Sequence, residues 1–176
     1  MKDKIAFICV GQAAGNIGEL FADAGYNVFA INTSREDLST LKSIPHSWHI
    51  PEGLGYAKDR QKAKEVFEKN FDLMVQQINN FVKQPIVYFI FSAGGGTGSG
   101  ISPWAMDILI NDVFIEEDED GNAYPTKSVG AITILAADSE SPKARENSYT
   151  CLAEISQIEN LKNLFIIDNS KMSGYS

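Results

Sequence analysis

Short unbroken apolar runs alternate along this chain with longer stretches whose apolar residues recur at helical spacing. Unbroken runs suit strands buried on both faces, as in parallel sheets. Residues 5–10 and 28–31 are the first two. Between them, 16–24 puts Ile17, Leu20, Phe21 and Ala24 on one helical face, and Gly25 stops the helix. Ser34 predicts the cap of a short helix, with Asp37 in capping-box position and Leu38 and Leu41 turned inward. Residues 48–50 read as a short edge strand. One long helix is predicted from an Asp59 cap, with Ala63, Val66, Phe67, Phe71, Met74, Val75, Ile78 and Val82 as its apolar stripe. Pro85 ends it and restarts the chain as a buried strand at 86–91. A helix is predicted over 101–110, with Pro103 in its first turn. Residues 129–136 form the next strand. Ser141-Pro142 opens a helix running to about Gln157, and 164–167 is the last strand. Strand and helix alternate through short connections. That order predicts an α/β doubly wound parallel sheet, Rossmann-like and three-layered, with helices on both faces. Ligands of such sheets sit at the carboxyl ends of the strands, near a switch in strand order.

Composition narrows the function. With 176 residues the chain suits one domain with a real core. Its 44% hydrophobic and 22% charged residues are those of an ordinary globular protein. A formal net charge of −8 argues against direct binding to nucleic acid or to anionic membranes. The acidic run at 116–120 reads as a solvated loop or hairpin tip, with calcium binding as an alternative that lacks the EF-hand spacing. Cys9 and Cys151 read as buried thiols of a reducing, cytoplasmic compartment. His46 and His49 have no Cys/His companions, so no metal site is expected there. No apolar run has the length of a membrane span, and the N-terminus enters a strand without a signal-peptide pattern.

The chemistry concentrates in Ser92-Ala93-Gly94-Gly95-Gly96-Thr97-Gly98-Ser99-Gly100, set between a strand and a helix. Glycines let successive backbone N–H groups face one concavity, through angles that a Cβ disfavours. The following helix adds its dipole and unpaired N–H groups, and hydroxyls of Thr97 and Ser99 add donors. A P-loop would place a lysine after the last glycine; none follows here. Phosphate must then be neutralised by backbone dipoles, the helix end and a bound metal. A dinucleotide fingerprint also fails at the first loop, Gly11-Gln12-Ala13-Ala14-Gly15-Asn16. Ala13 and Asn16 stand where its second and third glycines belong, and the second strand ends in Asn32 rather than an acid.

The glycine run resembles the Gly-Gly-Gly-Thr-Gly-Ser/Thr-Gly signature of the tubulin and FtsZ superfamily, and four other segments resemble that family in the expected order. The first loop is similar to tubulin's Gly-Gln-Ala-Gly-Asn-Gln. The resemblance implies that Gly11, Gln12 and Ala13 face phosphate, that Asn16 holds the nucleoside, and that Gln12 approaches the metal. Ala30-Ile31-Asn32-Thr33-Ser34 resembles FtsZ's Ala-Ile-Asn-Thr-Asp, which puts Asn32 in the pocket wall. Gly53-Leu54-Gly55 resembles an FtsZ segment that senses the terminal phosphate, and it points to Ala57. Lys58, Asp59 and Arg60 depart from the family's smaller residues. In the signature itself Ala93, Gly94, Gly95, Gly96, Thr97 and Gly98 are the implied phosphate contacts. Asp138-Ser139-Glu140-Ser141-Pro142-Lys143, with Glu146-Asn147 beyond, resembles the TubZ branch. It implies Glu140 at the ribose and Lys143 near phosphate; solvated residues around a helix start are the alternative. Asp168 in Ile167-Asp168-Asn169-Ser170-Lys171 also matches TubZ, where FtsZ has proline.

The resemblance implies that residues 1–176 are a GTP-binding domain, with the family's central helix and C-terminal domain not among them. It implies GTP or GDP with Mg2+ as ligands and head-to-tail self-association into filaments. In that scheme a neighbouring subunit's acidic loop positions the attacking water, so no catalytic residue is expected here. It implies plasmid or phage DNA positioning through a DNA-binding adaptor. An FtsZ-like division role, a non-polymerising nucleotide module and an NAD-binding oxidoreductase are the alternatives.

Overall fold

Ile5–Val10 forms β1, and five of its six residues are buried. It lies between β2 (Asn27–Asn32) and β4 (Ile86–Ser92), parallel to both. The computed structural model describes residues 1–174; Tyr175 and Ser176, the last positions of the expected domain, lie outside the described residues. With β3 (His46–His49), β7 (Ser128–Leu135) and β8 (Leu164–Asp168), the six strands make one parallel sheet in the order β3-β2-β1-β4-β7-β8. The order reverses between β1 and β4, so the loops leaving these two strands diverge and open a crevice. β5 (Ile115–Glu117) and β6 (Ala123–Pro125) form a separate antiparallel hairpin.

Strand side chains alternate between two apolar layers. Phe7, Cys9, Val28, Ala30, Ile90 and Ile134 pack beneath α1 (Gln12–Asp23) and α2 (Arg35–Ser39). Ala6, Ile8, Val10, Phe29, Phe89 and Phe91 face the other four helices, α3 (Arg60–Lys69), α4 (Phe71–Phe81), α5 (Thr97–Ile108) and α6 (Pro142–Ile155). The doubly wound, three-layer sheet is the arrangement that the alternating runs predict.

Element boundaries depart from the predicted ones where polar side chains intervene. The predicted helix from Asp59 to Val82 is two helices. At Asn70 the backbone leaves helical geometry (φ −113°, ψ 15°), and its buried side chain donates to the carbonyls of Val66 (2.9 Å) and Pro51 (3.2 Å). α1 starts at Gln12, not at 16, because Gly11 (φ 90°) turns the chain directly into it. The capping box at Ser34 is half formed. Its hydroxyl accepts from the Asp37 amide (3.2 Å), but the Ser34 amide donates to Asn32 Oδ1 (3.1 Å) rather than to Asp37. The acidic run is the tip of the β5–β6 hairpin, where Asp118 accepts from the amides of Asp120 and Asn122 and its carboxyl is held below the usual range by those donors. No group of three or more metal-ligating side chains forms among the described residues.

Pro103 is the clearest departure. α5 begins at Thr97, inside the glycine signature, so the proline sits in the second turn. Its missing N–H leaves the Ser99 carbonyl without its helical donor. Arg60 Nη2 donates to that carbonyl at 2.7 Å, and Arg60 Nε donates to Ser99 Oγ at 3.1 Å, while Glu154 on α6 pairs with the same guanidinium. Arg60→Met is expected to cost about 2 kcal/mol by orphaning a buried carbonyl. In a Pro103→Ala background, where a backbone N–H serves Ser99, the same change is expected to cost roughly 1 kcal/mol less. Urea denaturation of the four chains measures this; strict additivity would contradict it.

Candidate functional site

The crevice at the β1/β4 switch widens into a cleft of about 550 Å³. All five loops singled out in the sequence contribute to its wall. Gly11, Gln12 and Ala13 follow β1; Asn32, Ser34 and Asp37 follow β2; Gly55, Tyr56, Ala57 and Lys58 follow β3. Ser92 and Gly94 to Gly98 follow β4, and Glu140 follows β7. Two helices, α1 and α5, point their N-terminal ends into this wall. Their unpaired N–H groups and positive dipole ends favour an anion.

The glycines act here mainly through close approach rather than through unusual angles. Among them only Gly11 has a positive φ at this wall apart from Gly55 in the β3–α3 loop. A Cβ on Gly96 would lie 1.8 Å from the Tyr56 carbonyl, and one on Gly98 would lie 2.7 Å from the Val10 carbonyl. Thus Gly98 lets α5 abut β1, and Gly96 lets the loop after β3 close onto the signature. Gly95 differs: a Cβ there meets only the Ser92 carbonyl, at 3.9 Å. A side chain at Gly96 would therefore collide first with the backbone of residue 56.

Four side chains lock the loops together. Asn147, on α6 and 2% exposed, donates through Nδ2 to the carbonyls of Lys58 (3.0 Å), Gly95 (3.2 Å) and Gly94 (3.3 Å). His49 Nε2 lies 3.1 Å from the carbonyls of both Thr33 and Gly53, so it carries the proton. The hydroxyls of Thr33 and Thr97 share a hydrogen bond of 2.8 Å. Asn32 spends its amide on Asp37 Oδ2 (3.2 Å) and its oxygen on the Ser34 amide. Glu140 Oε1 accepts from the Ala137 amide at 2.9 Å.

No family model matches the chain. It is 33% identical over 177 residues to the tubulin-like protein TubZ of Clostridium botulinum C phage, a match covering 97% of this chain and 46% of that protein. The chain belongs to the tubulin/FtsZ superfamily. Among solved structures, the tail-truncated TubZ of C. botulinum phage c-st superposes with a TM-score of 0.85 at 30% identity, over 97% of this chain and 55% of that one. CetZ2 of Haloferax volcanii, solved as a GTPγS-bound protofilament, superposes with a TM-score of 0.76 at 20% identity, over 94% and 49%. This superfamily chain thus spans about half the length of the relatives it matches.

Within this superfamily fold, three of the residues named from the sequence do not reach the cleft wall. Ala93 is buried behind it, its amide donating to the Ile134 carbonyl at 2.8 Å. Asn16 is exposed on α1, one turn beyond Gln12. Lys143 lies in the first turn of α6, pairs with Glu146 at 3.3 Å, and lines an adjoining polar hollow that shares Ala57 and Lys58 with the cleft. Conversely, the sequence reading did not assign Ser34, Asp37, Gly55, Tyr56, Lys58 and Ser92 to the wall. Most of these belong to loops already singled out. Their approach depends on how the β3–α3 loop folds back, which Gly96 and Asn147 decide from distant parts of the chain.

Proposed function

We propose that this chain is the GTP-binding part of a TubZ-like, filament-forming GTPase. The observation that carries the reading is the cleft at the β1/β4 switch, walled by the N-terminal ends of α1 and α5 and by the glycine signature. Family membership and the GTPγS-bound protofilament of CetZ2 support it. On this reading Gly94, Gly95, Gly96, Thr97, Gly98, Gly11, Gln12 and Ala13 take the phosphates. Glu140 faces the ribose, while Asn16 and Lys143 move from direct contacts to the periphery. Mg2+ fits the donor set: the cleft offers isolated oxygens of Gln12, Thr97 and the two carboxylates rather than a protein cage, as suits an ion shared with phosphates.

The residues present bind rather than hydrolyse. Asp37 and Glu140 are the carboxylates of the wall, and each already accepts a hydrogen bond that shapes its own loop. By the family resemblance, this reading assigns the group that orients the attacking water to a neighbouring subunit in a head-to-tail polymer. The 176-residue chain is therefore expected to bind GTP without sustained turnover. Phosphate release is followed across a wide range of protein concentration. Robust, concentration-dependent release abolished by Thr97→Ala would show that the chain carries its own catalytic group. The task of the whole protein, on the same reading, is plasmid or phage DNA positioning in the cytoplasm. The net charge of −8 favours an adaptor over direct DNA contact. Among the described residues no helix is long and apolar enough to cross a membrane.

A further inference from the structure

Among the described residues that line the cleft, Lys58 is the sole cation, opposed there by the carboxylates of Asp37 and Glu140. The sequence supplies no lysine after the glycine run, where a P-loop would place one. The fold supplies one from a different loop. We propose that Lys58 is the cation of the phosphate site. This rests on the nucleotide reading and adds to it a residue at which the sequence leaves the family's pattern.

Three features of Lys58 point the same way. Its backbone is left-handed (φ 60°), a conformation that a residue with a Cβ keeps only when its surroundings impose it. Asn147 imposes it by holding the Lys58 carbonyl at 3.0 Å, with the same amide on Gly95 and Gly94. The amide nitrogen of Lys58 lies 2.8 Å from where a Gly96 Cβ would be, so the lysine is fixed against the glycine signature itself. The ammonium, finally, is not paired with a carboxylate among the described residues, and Asp59 beside it pairs with Lys62 instead.

The present partner of Nζ is a poor one for a cation. It donates to Ser141 Oγ at 3.0 Å, and Ser141 is the N-cap of α6, whose own amide at Ala144 uses the same oxygen. That is the positive end of a helix dipole, which disfavours a second positive charge. Lys58 is thus an exposed ammonium, without a carboxylate partner among the described residues, on a tethered backbone between the N-terminal ends of α5 and α6. Phosphate oxygens held at Gly95 and Gly96 would give it the charge-assisted partner that the protein does not. A lysine delivers this as a point charge on a flexible stem; arginine at the same position keeps the positive charge and also donates to phosphate oxygens.

Calorimetric titration of the unmodified chain, Lys58→Met and Lys58→Arg with GTP and with GDP tests the assignment. Lys58→Met is expected to weaken both nucleotides about tenfold or more, the scale of one charge-assisted hydrogen bond. Lys58→Arg is expected to stay within about threefold, with circular dichroism unchanged in both variants. GTP binding by Lys58→Met as tight as that of the unmodified chain would overturn the proposal. So would an equal loss in Lys58→Arg, which would mean that residue 58 serves the loop rather than the ligand. Failure of the nucleotide reading looks different: the unmodified chain would bind neither nucleotide.

Discussion

Valine at position 95 is expected to weaken GTP and GDP binding at least tenfold, or about 1.4 kcal/mol, while the chain stays folded. The asymmetry within the glycine signature is the reason. Gly95 has no positive φ, and a Cβ on it meets nothing nearer than the Ser92 carbonyl at 3.9 Å. A Cβ there has room, so an isopropyl group is expected to be tolerated by the protein and to stand at the cleft wall, where the ligand must come close to the backbone. Gly96→Val and Gly98→Val are expected to behave otherwise. Their side chains would drive into the carbonyls of Tyr56 and Val10, so they should lose stability by roughly 1–3 kcal/mol as well as binding. Thermal melts and nucleotide titration of the three variants separate the two effects. A folded Gly95→Val chain with unchanged GDP affinity would remove the glycine loop from the binding site.

Asn147→Leu should be the most damaging substitution outside the glycines. The side chain is nearly the same size, so little packing is lost. What is lost is the one amide that serves three carbonyls, on Lys58, Gly94 and Gly95. Buried acceptors left without donors cost about 1–3 kcal/mol each, and the exposure of the loop at residue 58 relieves part of this, so a loss of roughly 2–3 kcal/mol is expected. For a chain of this length that lowers Tm by roughly 5–10 °C. Binding should also fall, because the loop after β3 would no longer be registered on the signature. A melt within about 2 °C of the unmodified chain would show that the amide is not the clamp.

Much of this architecture was legible in the sequence because both signals are local. Unbroken apolar runs bounded by glycine or proline mark the strands, and the runs at 5–10 and 86–91 fall on β1 and β4. The loops that make the cleft follow those strands directly, so a parallel sheet brings them together without further information. Illegible features depend on partners far away in sequence. Nothing local says that Asn70 will break a helical stripe by reaching Pro51, or that Pro103 is tolerated because Arg60 serves Ser99. The resemblance to the TubZ branch implied Lys143 near phosphate, yet the first turn of α6 pairs it with Glu146, in a hollow beside the cleft rather than in its wall. Lys58, which reads as a departure from the family, is brought to the wall by an asparagine 89 positions later.

The most direct test of the central claim is a calorimetric titration of the purified chain with GTP, GDP, ATP and NAD in the presence of magnesium. The account predicts saturable binding of GTP and GDP at one site per chain, lost in Gly95→Val, with NAD giving no comparable heat. Preferential binding of NAD, or guanine nucleotide binding that survives Gly95→Val unchanged, would contradict it.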